Sequence, residues 1–222
     1  MPLFFPDYLK RLALASNLST TTSGAEAEVA LALDDDRHTL LTSSHASARF
    51  ARADPSFVSS VLGYSFTNPT LLTAALTHCS VASSASNQRL EWLGDAVMDF
   101  VVVRLLFERF PLAQEGELSQ RKSDATCNKA LASVVSVLRI HHWLEHRSPK
   151  LAADFASVDA GLAQAAEGAA TVFLDCLPSS CVKTLADTLE ALVGAVYLDA
   201  GCNEEGLAAV KAVILQVGVL SP

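Results

Sequence analysis

The stretch Gln88-Arg89-Leu90-Glu91-Trp92-Leu93-Gly94-Asp95-Ala96-Val97 sets two carboxylates four residues apart among aliphatic residues three or four apart. On an α-helix this spacing stacks Glu91 and Asp95 on one face and gathers Leu90, Leu93 and Val97 on another. The apolar period runs on through Val101 and stops before Pro111, so a helix is expected from about Gln88 to Arg109. A second stretch, Lys183-Thr184-Leu185-Ala186-Asp187-Thr188-Leu189-Glu190-Ala191-Leu192-Val193-Gly194-Ala195, has the same design. Asp187 and Glu190 share one face, and Leu185, Leu189, Leu192 and Val196 supply the apolar stripe.

Like charges one helical turn apart are mildly destabilising, and burying an unpaired carboxylate is costly. Each pair taken alone reads first as the solvated edge of an amphipathic helix. Gly94, Ala191, Gly194 and Ala195 are small enough to let two helices approach closely. If the helices cross there, four carboxylates converge and repel until a cation neutralises them. Hard oxygen ligands select Mg²⁺, with Mn²⁺ as a substitute, over zinc. Such ions activate water and stabilise the leaving oxygen in phosphodiester hydrolysis.

Outward from these helices, the composition favours packed helices. Half of the 222 residues are hydrophobic, with Ala, Leu and Val dominant and aromatics at 7%. No apolar run reaches the roughly 18 residues of a membrane span. Met1 to Tyr8 is too short and Pro-broken for a signal peptide. Residues 1–23 hold several Ser and Thr, Lys10, Arg11 and a single acid, Asp7, a composition compatible with a transit peptide. The five cysteines, Cys79, Cys127, Cys176, Cys181 and Cys202, are odd in number and lack C-x2-C spacing, so they read as reduced thiols of an intracellular protein. Cytoplasm or nucleus is expected ahead of an organelle. The formal net charge of −8 is adverse for a nucleic-acid binder, unless the acids themselves recruit cations.

Residues 1–53, with hydroxyl and Ala-rich tracts and Asp34-Asp35-Asp36, read as a flexible low-complexity extension. Residues 54–218 read as one all-α domain of about eight helices. Asp54-Pro55 and Asn68-Pro69 each place a capping residue before a helix-opening proline. Further helices are expected over about Gly116–Leu138 and Gly161–Leu174, from Pro178-Ser179-Ser180 to near Gly201, and after Asn203. Residues 139–150 form a bend. Its His141, His142 and His146 read as bend residues without a joint metal site, His78 as a hydrogen-bonded packing residue, and Asp99 as solvated.

The run Gln88 to Ala96 resembles the signature of the ribonuclease III family. Leu185 to Gly201 resembles that family's second motif. Leu62-Gly63-Tyr64-Ser65-Phe66 with Leu71-Leu72 and Ala75-Leu76-Thr77-His78-Cys79-Ser80 is similar to its first helices, and Glu115-Gly116-Glu117-Leu118-Ser119 with Asn128 to its middle segment. The four motifs stand in the family's order over roughly residues 55–215. The resemblance implies the ribonuclease III endonuclease fold and a magnesium-dependent endoribonuclease. It implies cleavage of double-stranded RNA to 5′-phosphate and 3′-hydroxyl ends by a homodimer or a heterodimer with another ribonuclease III domain. It implies Glu91, Asp95, Asp187 and Glu190 as catalytic metal ligands. Lys183 resembles a lysine near the scissile phosphate in Dicer-type domains, and reads equally as a solvated helix start. Asn128 faces RNA or caps a turn. Trp92 plugs a socket in the partner domain or packs within its own.

Gln88 departs from the Glu of many family members. No double-stranded-RNA-binding module is expected after the second motif, and Arg121, Lys122 and Lys129 are the nearest approach to a basic face, so RNA affinity is expected to be weak. The alternative function is a catalytically inactive scaffold of this fold in an RNA–protein complex. Retention of all four acids favours the enzyme.

Overall fold

The computed structural model describes residues 55–81, 86–166 and 177–220. The expected extension over 1–53, the C-terminal part of the expected 161–174 helix, and Cys176 lie outside them. Among the described residues there are eight α-helices and no strand. They are α1 (Pro55–Leu62), α2 (Pro69–Ala75), α3 (Gln88–Arg109), α4 (Glu115–Thr126), α5 (Asn128–Val137), α6 (Pro149–Ala166), α7 (Ser179–Asp199) and α8 (Glu204–Val217). A 3₁₀ turn, Ile140–Trp143, joins α5 to α6.

Helix starts follow local chemistry. The Asn68 side chain accepts from the Thr70 amide, and Asn203 accepts from the amides of Glu205 and Gly206. At the end of α8, Gly218 takes the left-handed conformation that closes a helix with least strain. Gly63 does the same after α1, with φ +64°.

The centre of the molecule is α7. From Leu185 to Val196 nearly every residue is buried, and α3, α5, α8 and α2 surround it. The crossing with α3 is a backbone contact. A Cβ on Gly94 would stand 1.8 Å from the Glu190 carbonyl oxygen, and one on Gly194 would stand 2.2 Å from that of Leu90. Only glycine fits at either position. At its far end, α7 is fastened through Asp199. Its carboxylate accepts from the Tyr64 hydroxyl and from the Thr67 and Asn68 amides, which ties the α1–α2 loop to the core. Burial works to raise the Asp199 pKa, but these three donors hold it below the usual value.

Two expected helices are corrected. The stretch read as one helix from Gly116 to Leu138 breaks at Cys127, whose backbone is extended. No residue of α4 is buried, whereas Leu131, Ala132, Val134 and Val135 of α5 are core. A straight rod cannot both lie on the surface and enter the core. The break carries neither Gly nor Pro, so the sequence showed no punctuation; the Thr126 hydroxyl bonds the Lys122 carbonyl in the last turn of α4. Helix α6 opens at Pro149, well before Gly161. The Ser148 hydroxyl accepts from the Leu151 amide, and Pro149 takes the first position, where a missing N–H costs nothing. Asp99 is also corrected from solvated to paired: it accepts the Lys122 ammonium and ties α3 to α4.

The crossing generates a prediction. Gly94→Ala should destabilise the chain by roughly 3 kcal/mol or more, because the backbones must part. Gly116→Ala, where a Cβ meets nothing within 4 Å, should change stability by no more than about 1 kcal/mol. Urea unfolding followed by circular dichroism compares the two, and similar midpoints would contradict the contact.

Candidate active site

The glycine crossing decides where the acids go. Glu91 lies on the first turn of α3, and Asp187 and Glu190 on α7. Their carboxylate oxygens come within 4.8 Å of one another. Asp95 is exposed, one turn further along α3. It stands outside that tight group, yet its charge acts on Glu190.

Glu190 is the unusual member. It is 7% exposed, one of few buried charged side chains. Burial, then the charges of Asp95, Asp187 and Glu91, push its pKa up to about 7. A carboxyl in that position is half neutral at physiological pH and short of positive charge. The nearby cation is Lys183, with Nζ 2.6 Å from Asp187 Oδ1 and 3.7 Å from Glu91 Oε1. Its hydrogen bond to Asp187 raises its own pKa. Lys183 is therefore engaged with the acids from a side chain that is 69% exposed.

Among the described residues, one lysine against four acids leaves the site strongly negative. All-oxygen donors, a buried carboxyl raised by its neighbours, and two flanking acids fit a hard divalent cation. Glu91, Asp187 and Glu190 are placed to hold it together, with Asp95 alongside.

The remaining sequence candidates are dispersed. Asn128 is exposed at the first position of α5. Arg121 pairs with Glu117 at 2.8 Å and lies over the Phe110 ring, and Lys122 is bound to Asp99, so two of the three cations expected to form a basic face are already neutralised. His78 is half-buried and held by Ser80, whose amide donates to Nδ1 at 3.1 Å, in keeping with a hydrogen-bonded packing residue. Burial lowers its pKa against the opposing charge of Asp187, which places the ring at the edge of the acidic site. That neighbourhood was invisible in the sequence, where the two residues are far apart.

Trp92 does not pack within its own domain: it is 78% exposed. The company it keeps shows only in the fold. Phe100, Val103 and Phe107 are also exposed, each at least half, and with Trp92 they follow at helical spacing along one side of α3. Four large apolar residues are thus left in water on one helix face.

The family described as "Ribonuclease III domain" matches residues 88–201. Among curated relatives, the chain is 33% identical over 156 residues to "Protein Dicer" of Schizosaccharomyces pombe, covering 68% of this chain and 11% of that protein. It is 38% identical over 156 residues to "Ribonuclease 3" of Campylobacter fetus, covering 70% of this chain and 57% of that one. The chain thus spans little more than half the length of the bacterial relative and a small part of Dicer. Among solved structures, the nuclease domain of ribonuclease III from Campylobacter jejuni superposes with a TM-score of 0.54 at 28% identity, over 74% of this chain and 93% of the other. A second structure of that domain, described as flexible in a region involved in dimer formation, gives 0.53 at 29% identity, over 72% of this chain and 93% of that one.

The Glu190 environment generates a pH prediction. The folded pKa stands above the unfolded one, so the cost of ionised Glu190 is present above about pH 7 and disappears as pH falls through the ordinary glutamate range. In metal-free buffer, Glu190→Gln should be more stable than the parent near pH 8, by up to about 3 kcal/mol, and match it near pH 4. Denaturant titrations of both proteins across that range read the difference directly. A variant less stable than the parent at pH 8 would contradict the electrostatic picture.

Proposed function

The chain belongs to the ribonuclease III domain family, and we propose that it is an endoribonuclease that hydrolyses double-stranded RNA with a divalent metal ion. The observation that carries this reading is the buried Glu190 grouped with Glu91 and Asp187, with Asp95 beside them, at the α3–α7 crossing. All four acids implied by the family resemblance are present, which favours the enzyme over a catalytically inactive scaffold.

In this reading Glu91, Asp95, Asp187 and Glu190 hold Mg²⁺, or Mn²⁺ in its place, against the RNA backbone. The ion, when bound, supplies an activated water and charge stabilisation for the leaving oxygen. The protein's own part is to fix the acids before substrate arrives. The glycine crossing sets their spacing, burial keeps bulk water from Glu190, and Lys183 restrains Asp187 while presenting positive charge at the rim for a phosphate. Asn128 lies on the exposed surface that meets RNA. The products are 5′-phosphate and 3′-hydroxyl ends.

Duplex RNA has two strands, and one site cuts one strand. The exposed apolar side of α3 supplies the means of pairing two sites. Trp92 begins on the residue after Glu91, so a second copy or another ribonuclease III domain docked there lies next to the acids. Trp92 is the expected anchor of that interface, since large aromatics dominate such contacts. No helix among the described residues is long and apolar enough to cross a membrane. The proposed setting is inside the cell, in cytoplasm or nucleus.

Two outcomes are expected. Glu190→Gln and Asp95→Asn should each lower cleavage of a perfect RNA duplex in Mg²⁺ by more than about a hundredfold, since outer-shell losses alone reach that range. Their circular dichroism should match the parent. Cleavage at the parent rate would sink the site assignment. Trp92→Ala should weaken self-association by about 2 kcal/mol or more, and lower activity per chain, with helicity retained. Sedimentation at matched concentrations decides this; a parent that stays monomeric at high concentration would rule out the homodimer and leave only a heterologous domain.

A further inference from the structure

His141 and His142 stand side by side in the 3₁₀ turn, and each brings Nε2 to 3.2 Å from the same oxygen, Asp159 Oδ1. Asp159 comes from α6, so two elements deliver three ligand-type atoms to one point. All three lie within 4.8 Å of one another. In tetrahedral zinc sites, with bonds of about 2.0–2.2 Å to nitrogen and oxygen, ligand atoms stand roughly 3.3 Å apart. The two nitrogen–oxygen edges seen here already have that length.

The state of the His141 ring points the same way. The residue is 1% exposed, and its Nδ1 is buried without a hydrogen-bond partner. A neutral ring that donates from Nε2 to Asp159 leaves Nδ1 as a buried acceptor with no donor. The other tautomer frees Nε2. Nε2 then offers its lone pair to a cation, and Nδ1 carries the proton. Phe155 packs edge-on against His141 with ring centroids 5.5 Å apart, which walls the inner side, while half-exposed His142 leaves the outer side open.

One group competes. Arg139, left-handed at the start of the turn, also sets its guanidinium on Asp159 Oδ1. Its side chain is 38% exposed, so the guanidinium can turn into solvent when an ion takes Oδ1. His146, the third histidine of the bend, takes no part and packs on Phe155 instead.

We propose that His141, His142 and Asp159 form a second metal site, which takes Zn²⁺ or a similar borderline transition-metal ion and clamps the 139–143 bend onto α6. Two imidazoles and one carboxylate with an open fourth position suit such an ion, whereas Mg²⁺ prefers an all-oxygen set. The site shares no residue with the acid group of α3 and α7.

The untagged full chain, stripped with chelator and held in excess Mg²⁺ to occupy the acid group, is titrated with Zn²⁺ by calorimetry and with Co²⁺ by visible absorption. One ion per chain is expected, with a Co²⁺ spectrum of nitrogen and oxygen ligands. The melting temperature should rise with Zn²⁺, as for any ligand of the folded state. His142→Ala, at a half-exposed position that leaves the core untouched, should weaken binding by more than about tenfold and remove the thermal shift. Asp159→Asn should act likewise, and His142→Ala alone carries the test if that variant fails to fold. Absence of binding above the Mg²⁺ background would overturn the proposal. So would unchanged affinity in His142→Ala, or a thiolate charge-transfer band assigning the ion to the exposed cysteines.

Discussion

Gly94 and Gly194 let the backbones of α3 and α7 touch, and the position of every acid in the site depends on that contact. Two helices separated by ordinary side chains would hold Glu91 and Glu190 too far apart to share an ion. With no Cβ between them, the carbonyl of Glu190 rests where a side chain on Gly94 would be, and its carboxyl is carried to the edge of the crossing. The same closeness buries Glu190. Proximity of the acids and the raised pKa therefore have one origin, and both are consequences of two absent methyl groups.

Helix α3 serves three neighbours at once. One side, with Leu90, Val97, Met98, Val101 and Leu106, packs into the core. Another presents Glu91 and Asp95 toward α7. The third leaves Trp92, Phe100, Val103 and Phe107 in solvent. A helix with apolar residues on two sides has little amphipathic contrast, and in isolation it resembles a fully buried helix. Only the packing shows which apolar side is the core and which is available to a partner. Because one helix bears both the acids and this exposed apolar side, the proposed partner, seated there, would adjoin the site without any connecting loop.

The electrostatics are economical in positive charge. Arg104, Arg121, Lys122 and Lys150 each lie against a carboxylate of their own chain. Exposed pairs of this type add little stability, and their main effect is to cancel field. The acids around Glu190 keep theirs, with Lys183 the one cation against them among the described residues. Negative potential is thus concentrated at the α3–α7 crossing, which draws in cations and repels bare phosphate until a cation is bound. An acidic chain and a phosphodiester substrate are compatible on those terms.

Periodicity and capping made most helices legible. Asn68, Pro69 and Asn203 declared their starts, and the spacing of Leu90, Leu93 and Val97 declared α3. These features are local: they depend on residues within a turn or two, so the sequence by itself determined them. The break at Cys127 was not legible, because it has no breaker residue and arises from α5 entering the core while α4 stays outside. The exposure of Trp92, the burial of Glu190, the approach of His78 to Asp187 and the meeting of His141 and His142 with Asp159 were decided by the tertiary structure alone. Each is a relation between side chains from different elements, set by how the helices pack. Helical spacing fixes which way a side chain points from its own axis, and only packing fixes what it points at.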